Sequence, residues 1–392
     1  MIYLDNNATT AVDPQVIDAM MSCFARGPMN ASSQHGLGRT ARKILDDAIS
    51  EIGCLLGADV DSPGGDQLVL TSGGSESNNL ALAGLGEADA PLVVSLIEHP
   101  SVLAVASAMR DSARDVRVIG TRVNGTIDLD QAADVLHRSP KPGLASVMSA
   151  NNETGVIQPI TELAKICKSA NVLLHVDATQ TVGKLPLRFS DAEANVAAIT
   201  FTAHKFHGPA GIGGLLLRSG VSLRASMLGG EQQFGRRPGT EAVPLVVGMA
   251  MALRLAHQTM TTSMAVIERH RDRFEQQLSS QIEDVVFHGR DAATLRLPGT
   301  SCFSIPRTDR QSMLMALDLA GIACSSGSAC ASGSSRPSHV LTAMGVSNPQ
   351  IEAALRIGLS RFTTDEDICQ AIEAITRTCQ RLRRFQAVEN LR

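Results

Sequence analysis

Three side chains able to do chemistry stand at or just beyond the ends of apolar runs: His99 after "LVVSLIE", Asp177 closing "NVLLHVD", and Lys205 after "ITFTAH". An amine that can shed its proton is a nucleophile and can form a Schiff base with a carbonyl. A carboxylate ending an apolar strand is costly unless a cation or a hydrogen-bond donor meets it. Pro100 keeps His99 out of helical geometry and itself suits the first helical position, so His99 is expected to cap a helix and face the end of its strand. In "LVLTSGGSESNNLAL" an apolar run leads through two glycines and Ser75 into a helical segment. The free N–H groups and positive dipole end of such a helix suit a phosphate. Singly, each feature has an ordinary reading: a capping histidine, a salt-bridged aspartate, a surface lysine, a plain strand-to-helix turn. The fifth feature is less ordinary. "ACSSGSACASGSSRPSH" places Cys330 in a run with almost nothing to bury, although free cysteine is among the most buried residue types.

The elements around these residues give them a common address. Strand-length apolar runs recur as "DQLVLTS", "APLVVSLIE", "RVIGTRV", "LASVMSA", "NVLLHVDA", "AAITFTA" and "GGLLLRS", with helical segments such as "PSVLAVASAMRD" and "ITELAKICKSA" between several of them. This alternation predicts an α/β fold with a mainly parallel sheet covered on both faces. Ligands of such sheets bind beyond the carboxyl ends of the strands. A phosphate cradle, a histidine able to stack on a ring, Asp177 and Lys205 therefore converge, and together they match what pyridoxal 5'-phosphate requires. Lysine forms the Schiff base, the aspartate keeps the pyridine nitrogen protonated, and a helix N-terminus takes the phosphate. His175 and the "HKFH" histidines lack a helical H-x-x-x-H or a Cys/His set around them, so no metal is expected. A long helix is predicted from about Pro244 to Leu278, and the pattern then restarts on a smaller scale. The expected division is a large cofactor-binding domain over 16–255 and a smaller α+β domain from 1–15 and 256–392, which carries the Cys330 loop.

Composition narrows the function classes. The 392 residues are 44% hydrophobic and 19% charged, as in a soluble globular protein of more than one average domain. The net charge of −4, one Tyr and no Trp argue against a nucleic-acid partner. "AVPLVVGMAMALRLA" is interrupted by Pro244 and Arg254 and is too short for a bilayer, so no membrane association is expected. "MIYLDNNATT" shows no secretory pattern. The eight cysteines form no C-x-x-C pair, which points to a reducing cytoplasm with most thiols buried. Cys324 is expected to pack under the loop, the alternative being a second thiol that pairs with Cys330.

"YLDNNATT", "TSGGSESNNLA", "EHPSVL", "ANNETGV", "HVDATQTVGK", "HKFHGPAGIG", "RRPGTE", "SSGSACASG" and "LRIGLSRFTT" together resemble the cysteine desulfurases of nitrogen fixation and iron–sulfur cluster assembly. These blocks run from residue 3 to about residue 364. The resemblance implies a fold-type I homodimer in which Lys205 is the Schiff-base lysine, Asp177 the pyridinium partner and His99 the ring-stacking acid/base. It implies cofactor contacts from Asn152 and Gln180, and a phosphate site made by Gly74, Ser75, Thr202 and His204, with Thr240 arriving from the second subunit. Arg356 would bind the carboxylate of L-cysteine, and Cys330 would carry the sulfur as a persulfide to an acceptor scaffold protein, with L-alanine released. The sequence departs from the family pattern at Ser75, Glu231, Gln232, Cys324 and Arg336. Another fold-type I enzyme, such as a selenocysteine lyase or an aminotransferase, and a scaffold protein without cofactor remain as alternatives.

Overall fold

The computed structural model describes residues 1–189, 195–291, 294–327 and 337–389. Its strands, in chain order, are β1 (Ile2–Tyr3), β2 (Gln67–Thr71), β3 (Leu92–Ser95), β4 (Val116–Ile119), β5 (Leu144–Met148), β6 (Leu173–Asp177), β7 (Ala198–Thr202), β8 (Gly213–Leu217), β9 (Val286–His288), β10 (Thr300–Ser304), β11 (Ile322–Ala323) and β12 (Ala354–Gly358). Seven of these form the main sheet in the order β2-β8-β7-β6-β5-β3-β4. Neighbours from β7 to β4 pair in parallel. Only β8 runs against its neighbours β2 and β7. The reason is local: a single 3-10 turn, Ala203–Lys205, and a glycine-rich loop separate β7 from β8. A parallel return would need a crossover of a dozen or more residues.

All seven predicted runs are strands of this sheet, and the helices Pro100–Asp111 and Ile160–Ala170 fall where the apolar period places them. The third run is shorter than "RVIGTRV" suggests. β4 stops at Ile119, and the chain turns through Gly125 at φ +89° into an isolated bridge between Thr121 and Ile127. Sheet residues from both faces are buried: Val93, Val147, Leu174 and Phe201 join one apolar core, and Val69, Val94, Leu144 and Leu215 join another. Helices Pro14–Phe24 and Gly36–Leu55 pack on the long helix Val243–Gln281.

That long helix links the sheet to a separate apolar core, in which Leu4, Phe274, Phe303, Leu355 and Ile372 are buried together. An antiparallel sheet, β12-β10-β9, and the parallel pair β1-β11 cover this core. The N-terminal strand thus pairs with a strand more than 300 residues later, Ile2 with Ile322. One consequence bears on function. The turn after β1 is laid across the ends of the main-sheet strands, where Thr10 bonds the His204 carbonyl through both its N–H and its hydroxyl at 2.9 Å.

Candidate active site

A cavity of about 520 Å³ opens beyond the carboxyl ends of β2, β3, β5, β6 and β7. Gly74, Ser75, His99, Asn152, Asp177, Gln180, Thr202, His204, Lys205 and Arg356, all predicted site residues, line it. Thr240 does not; it is exposed, away from this cavity. Cys330 and Arg336 lie outside the described residues. Gly327 lines the cavity on one side of that segment. On the other, the His339 ring nitrogen Nε2 lies 2.9 Å from the Glu98 carbonyl, one residue from His99.

The wall formed by strand ends is assembled from local sequence. Helix Gly74–Gly84 starts after Gly73, whose φ of +153° only glycine adopts readily, and no side chain caps it. A Cβ on Gly74 would approach Thr179 Oγ1 to 3.1 Å, so the turn keeps its open N–H groups clear of side chains. His99 is the N-cap of helix Pro100–Asp111, as predicted, and its Nδ1 accepts the Ser101 N–H at 3.1 Å. A neutral ring with Nδ1 as acceptor carries its proton on Nε2. Burial, opposed by Asp177 and aided by Lys205 and His339, lowers the His99 pKa, which favours that neutral form. Asp177 accepts from Asn78 Nδ2 at 2.8 Å and from the Thr179 N–H at 3.0 Å. These donors meet the carboxylate that the apolar strand delivers.

Lys205 ends the 3-10 turn after β7. Its Nζ donates to the Asn7 and Ala8 carbonyls at 2.6 and 2.7 Å. Burial first, then the positive Arg356, depress its pKa to about 8 against the opposing pull of Asp177 and Asp5. An amine so depressed is available as a free base far more readily than a surface lysine. Arg356, on β12, is almost fully buried; it donates to the Asn152 carbonyl at 2.8 Å and to Asp5 at 2.5 Å. Its Nε has no hydrogen-bond partner among the described residues.

The opposite wall adds Asp5, Asn7 and Ala8 from the N-terminal turn and Ser325 from the end of β11, which local sequence reasoning did not single out, beside Cys324, which it did. Asn78 lies one turn in from Gly74, and Ser101 is the second residue of the helix that His99 caps. Their signal was the helical spacing, which places Asn78 four residues after Gly74 on the same face. The Cys324 thiol is pushed up to about 12, mainly by burial, so it is a protonated packing group rather than a thiolate.

The cavity fits pyridoxal 5'-phosphate on its own geometry. A helix N-terminus without a capping side chain supplies N–H groups for a phosphate, and an unpaired Thr179 hydroxyl lies beside it. Asp177 faces the same space as an amine of lowered pKa. The fold and this site define a class: fold-type I pyridoxal-phosphate enzymes. The aminotransferase class-V family model matches residues 2–370, and the chain belongs to that family. It is 40% identical to a cysteine desulfurase of Gluconacetobacter diazotrophicus over 97% of this chain and 94% of that protein. It superposes on a NifS-like protein from Rickettsia africae with a TM-score of 0.88, at 31% identity, covering 97% of this chain and 99% of the other. A third relative, SspA solved in complex with cysteine, is 28% identical with a TM-score of 0.77, over 93% of this chain and all of that one. Pyridoxal 5'-phosphate is the cofactor.

Proposed function

We propose that this chain is a cysteine desulfurase, which converts L-cysteine to L-alanine and passes the sulfur through Cys330 to an acceptor scaffold for iron–sulfur cluster assembly. The observation that carries this reading is the convergence on one cavity of Lys205, Asp177, His99 and Arg356 with Gly327, three residues before Cys330. When bound, pyridoxal phosphate supplies an electron sink next to the substrate amino group. Lys205 would be its Schiff-base partner, Asp177 would meet the ring nitrogen and His99 would stack on the ring. Gly74, Ser75, Thr202 and His204 would hold the phosphate, and Asn152 and Gln180 would contact the ring edge. Arg356 takes the substrate carboxylate, a role its place in the cavity wall supports. Lys205, as a free base, receives the proton from the substrate α-carbon at Nζ. The Cys330 thiolate forms a sulfur–sulfur bond as the substrate carbon–sulfur bond breaks. The product is a persulfide on Cys330.

The working unit in this reading is a cytoplasmic homodimer whose cofactor domain spans residues 16–255 and whose smaller domain combines 1–15 with 256–392. Met227, Leu228 and Phe234 are exposed on the segment that leads to Thr240, which supports a subunit interface there. Thr240 would then complete the phosphate site of the second copy. Among the described residues, no helix is long and apolar enough to cross a membrane. The test is turnover of L-cysteine with alanine and sulfide measured together under reducing conditions. Wild type should yield them in equal amounts, and Cys330→Ala should yield neither while still binding the cofactor. Sustained sulfide release by Cys330→Ala would assign the sulfur chemistry elsewhere.

A further inference from the structure

Lys184 is not among the groups that line the cavity, yet it is tied to two of them. Its Nζ donates to Gln180 Oε1 at 2.9 Å. With the amide oxygen so occupied, Gln180 presents its NH₂ toward the site, where Nε2 donates to the Asn7 carbonyl at 3.0 Å. That carbonyl also accepts from Lys205 Nζ at 2.6 Å. Two lysines are therefore the ends of one hydrogen-bonded chain, Lys184–Gln180–Asn7–Lys205. Both also border a narrow pocket of about 40 Å³ behind the cavity.

The backbone fixes this spacing independently. Gly183 has φ +76°, and a Cβ there would stand 2.6 Å from Phe206 Cβ. The turn bearing Lys184 is thus pressed against the residue that follows Lys205, and only glycine permits the approach. A lysine that served only to fill space would be expected to lie on the surface or to pair with a carboxylate. Lys184 is only part-exposed, and its side chain donates to a neutral amide. The charged groups acting on it are Lys205 and Arg356, both positive, and burial together with these lowers its pKa to about 7. Lys205 in turn feels Arg356, Asp177 and Asp5, and His204 feels both lysines.

We propose that Lys184 is a positioning residue of the cofactor site: it locks the Gln180 amide with its donors toward the cavity and so sets how the Asn7 carbonyl is shared between Gln180 and the Lys205 amine. This rests on the reading of Lys205 as the cofactor lysine. The test uses full-length Lys184→Met and Lys184→Gln, each compared with wild type in pyridoxal-phosphate affinity and in the pH midpoint of the visible absorption band of the holoenzyme. Lys184→Met should raise the dissociation constant about five- to tenfold, as loss of one buried hydrogen bond implies. Both variants should move the midpoint to higher pH by about half a unit, because an Asn7 carbonyl no longer shared with Gln180 accepts more strongly from the protonated Lys205 nitrogen. Lys184→Gln keeps a polar group in the same place and carries the midpoint test should the methionine variant fail to fold. Unchanged midpoints and affinities, with only a lower melting temperature, would make Lys184 a structural residue and overturn the proposal. Absence of the cofactor from Lys205 in wild type would instead overturn the underlying reading.

Discussion

The two walls of the cavity are built in different ways. On one wall, Gly74, His99, Asp177 and Lys205 each follow a main-sheet strand by a few residues at most, and the local turn aims each of them. On the other, Asp5, Asn7, Cys324 and Arg356 meet only because β1 pairs with β11 and because Ser325 bridges to Arg356. The first wall holds groups suited to the cofactor, and each is fixed by its own strand. The second carries Arg356, the substrate-binding group of the proposed reading, and depends on distant segments docking together. In that reading, cofactor chemistry is anchored in the main sheet and substrate recognition depends on how the smaller core seats against it.

Breaking the first wall should have the largest effect. Lys205→Ala removes the amine that, in the proposed reading, both carries the cofactor and moves the proton, so turnover should fall by more than about a thousandfold. The purified variant should also lack the yellow absorption band expected of the wild-type holoenzyme. Breaking the second wall should act on binding. Arg356→Ala should raise the KM for L-cysteine far more than it lowers kcat, with a loss of about 2–5 kcal/mol in kcat/KM for a desolvated guanidinium–carboxylate pair. An unchanged KM would move carboxylate recognition to another cation.

The contrast between the walls also explains what the sequence made legible. The first wall could be read because an apolar run, a turn and a functional residue are contiguous, and the carboxyl-end rule then gathers them. Asp5 and Asn7 could not be found that way. "YLDNNATT" is short and polar, and its place at the site follows from a pairing across some 320 residues that no local periodicity encodes. The reversal of β8 was equally hidden, since an apolar run has no direction; the length of the loop before it decided the matter. Arg356 became visible only through the family resemblance, because "LRIG" reads as an ordinary strand.

A smaller effect concerns the buried support of the first wall. Glu98 accepts from the Ser95 hydroxyl at 2.5 Å and from the Met148 N–H at 3.0 Å, and its second oxygen has no partner among the described residues. Burial raises its pKa from 4.5 to about 8. The folded protein therefore binds a proton that the unfolded chain releases between those values, and this group's contribution to stability falls as pH rises through that window. Glu98→Gln should flatten the decline in denaturation midpoint between about pH 5 and 8, as followed by urea titration. The smallest effect is expected on the second wall, at Cys324. With its thiol protonated, Cys324→Ala should leave the rate of peroxide inactivation within about twofold of wild type. A larger slowing or acceleration would give Cys324 a redox role.

The account turns on Lys205 being the point at which the strand-end wall grips the cofactor. Borohydride reduction of the native holoenzyme, followed by proteolysis and peptide mass spectrometry, measures this directly. The pyridoxyl mass should appear on the peptide containing Lys205 and on no other. Its appearance on Lys184, or on any lysine away from the end of β7, would contradict the assignment.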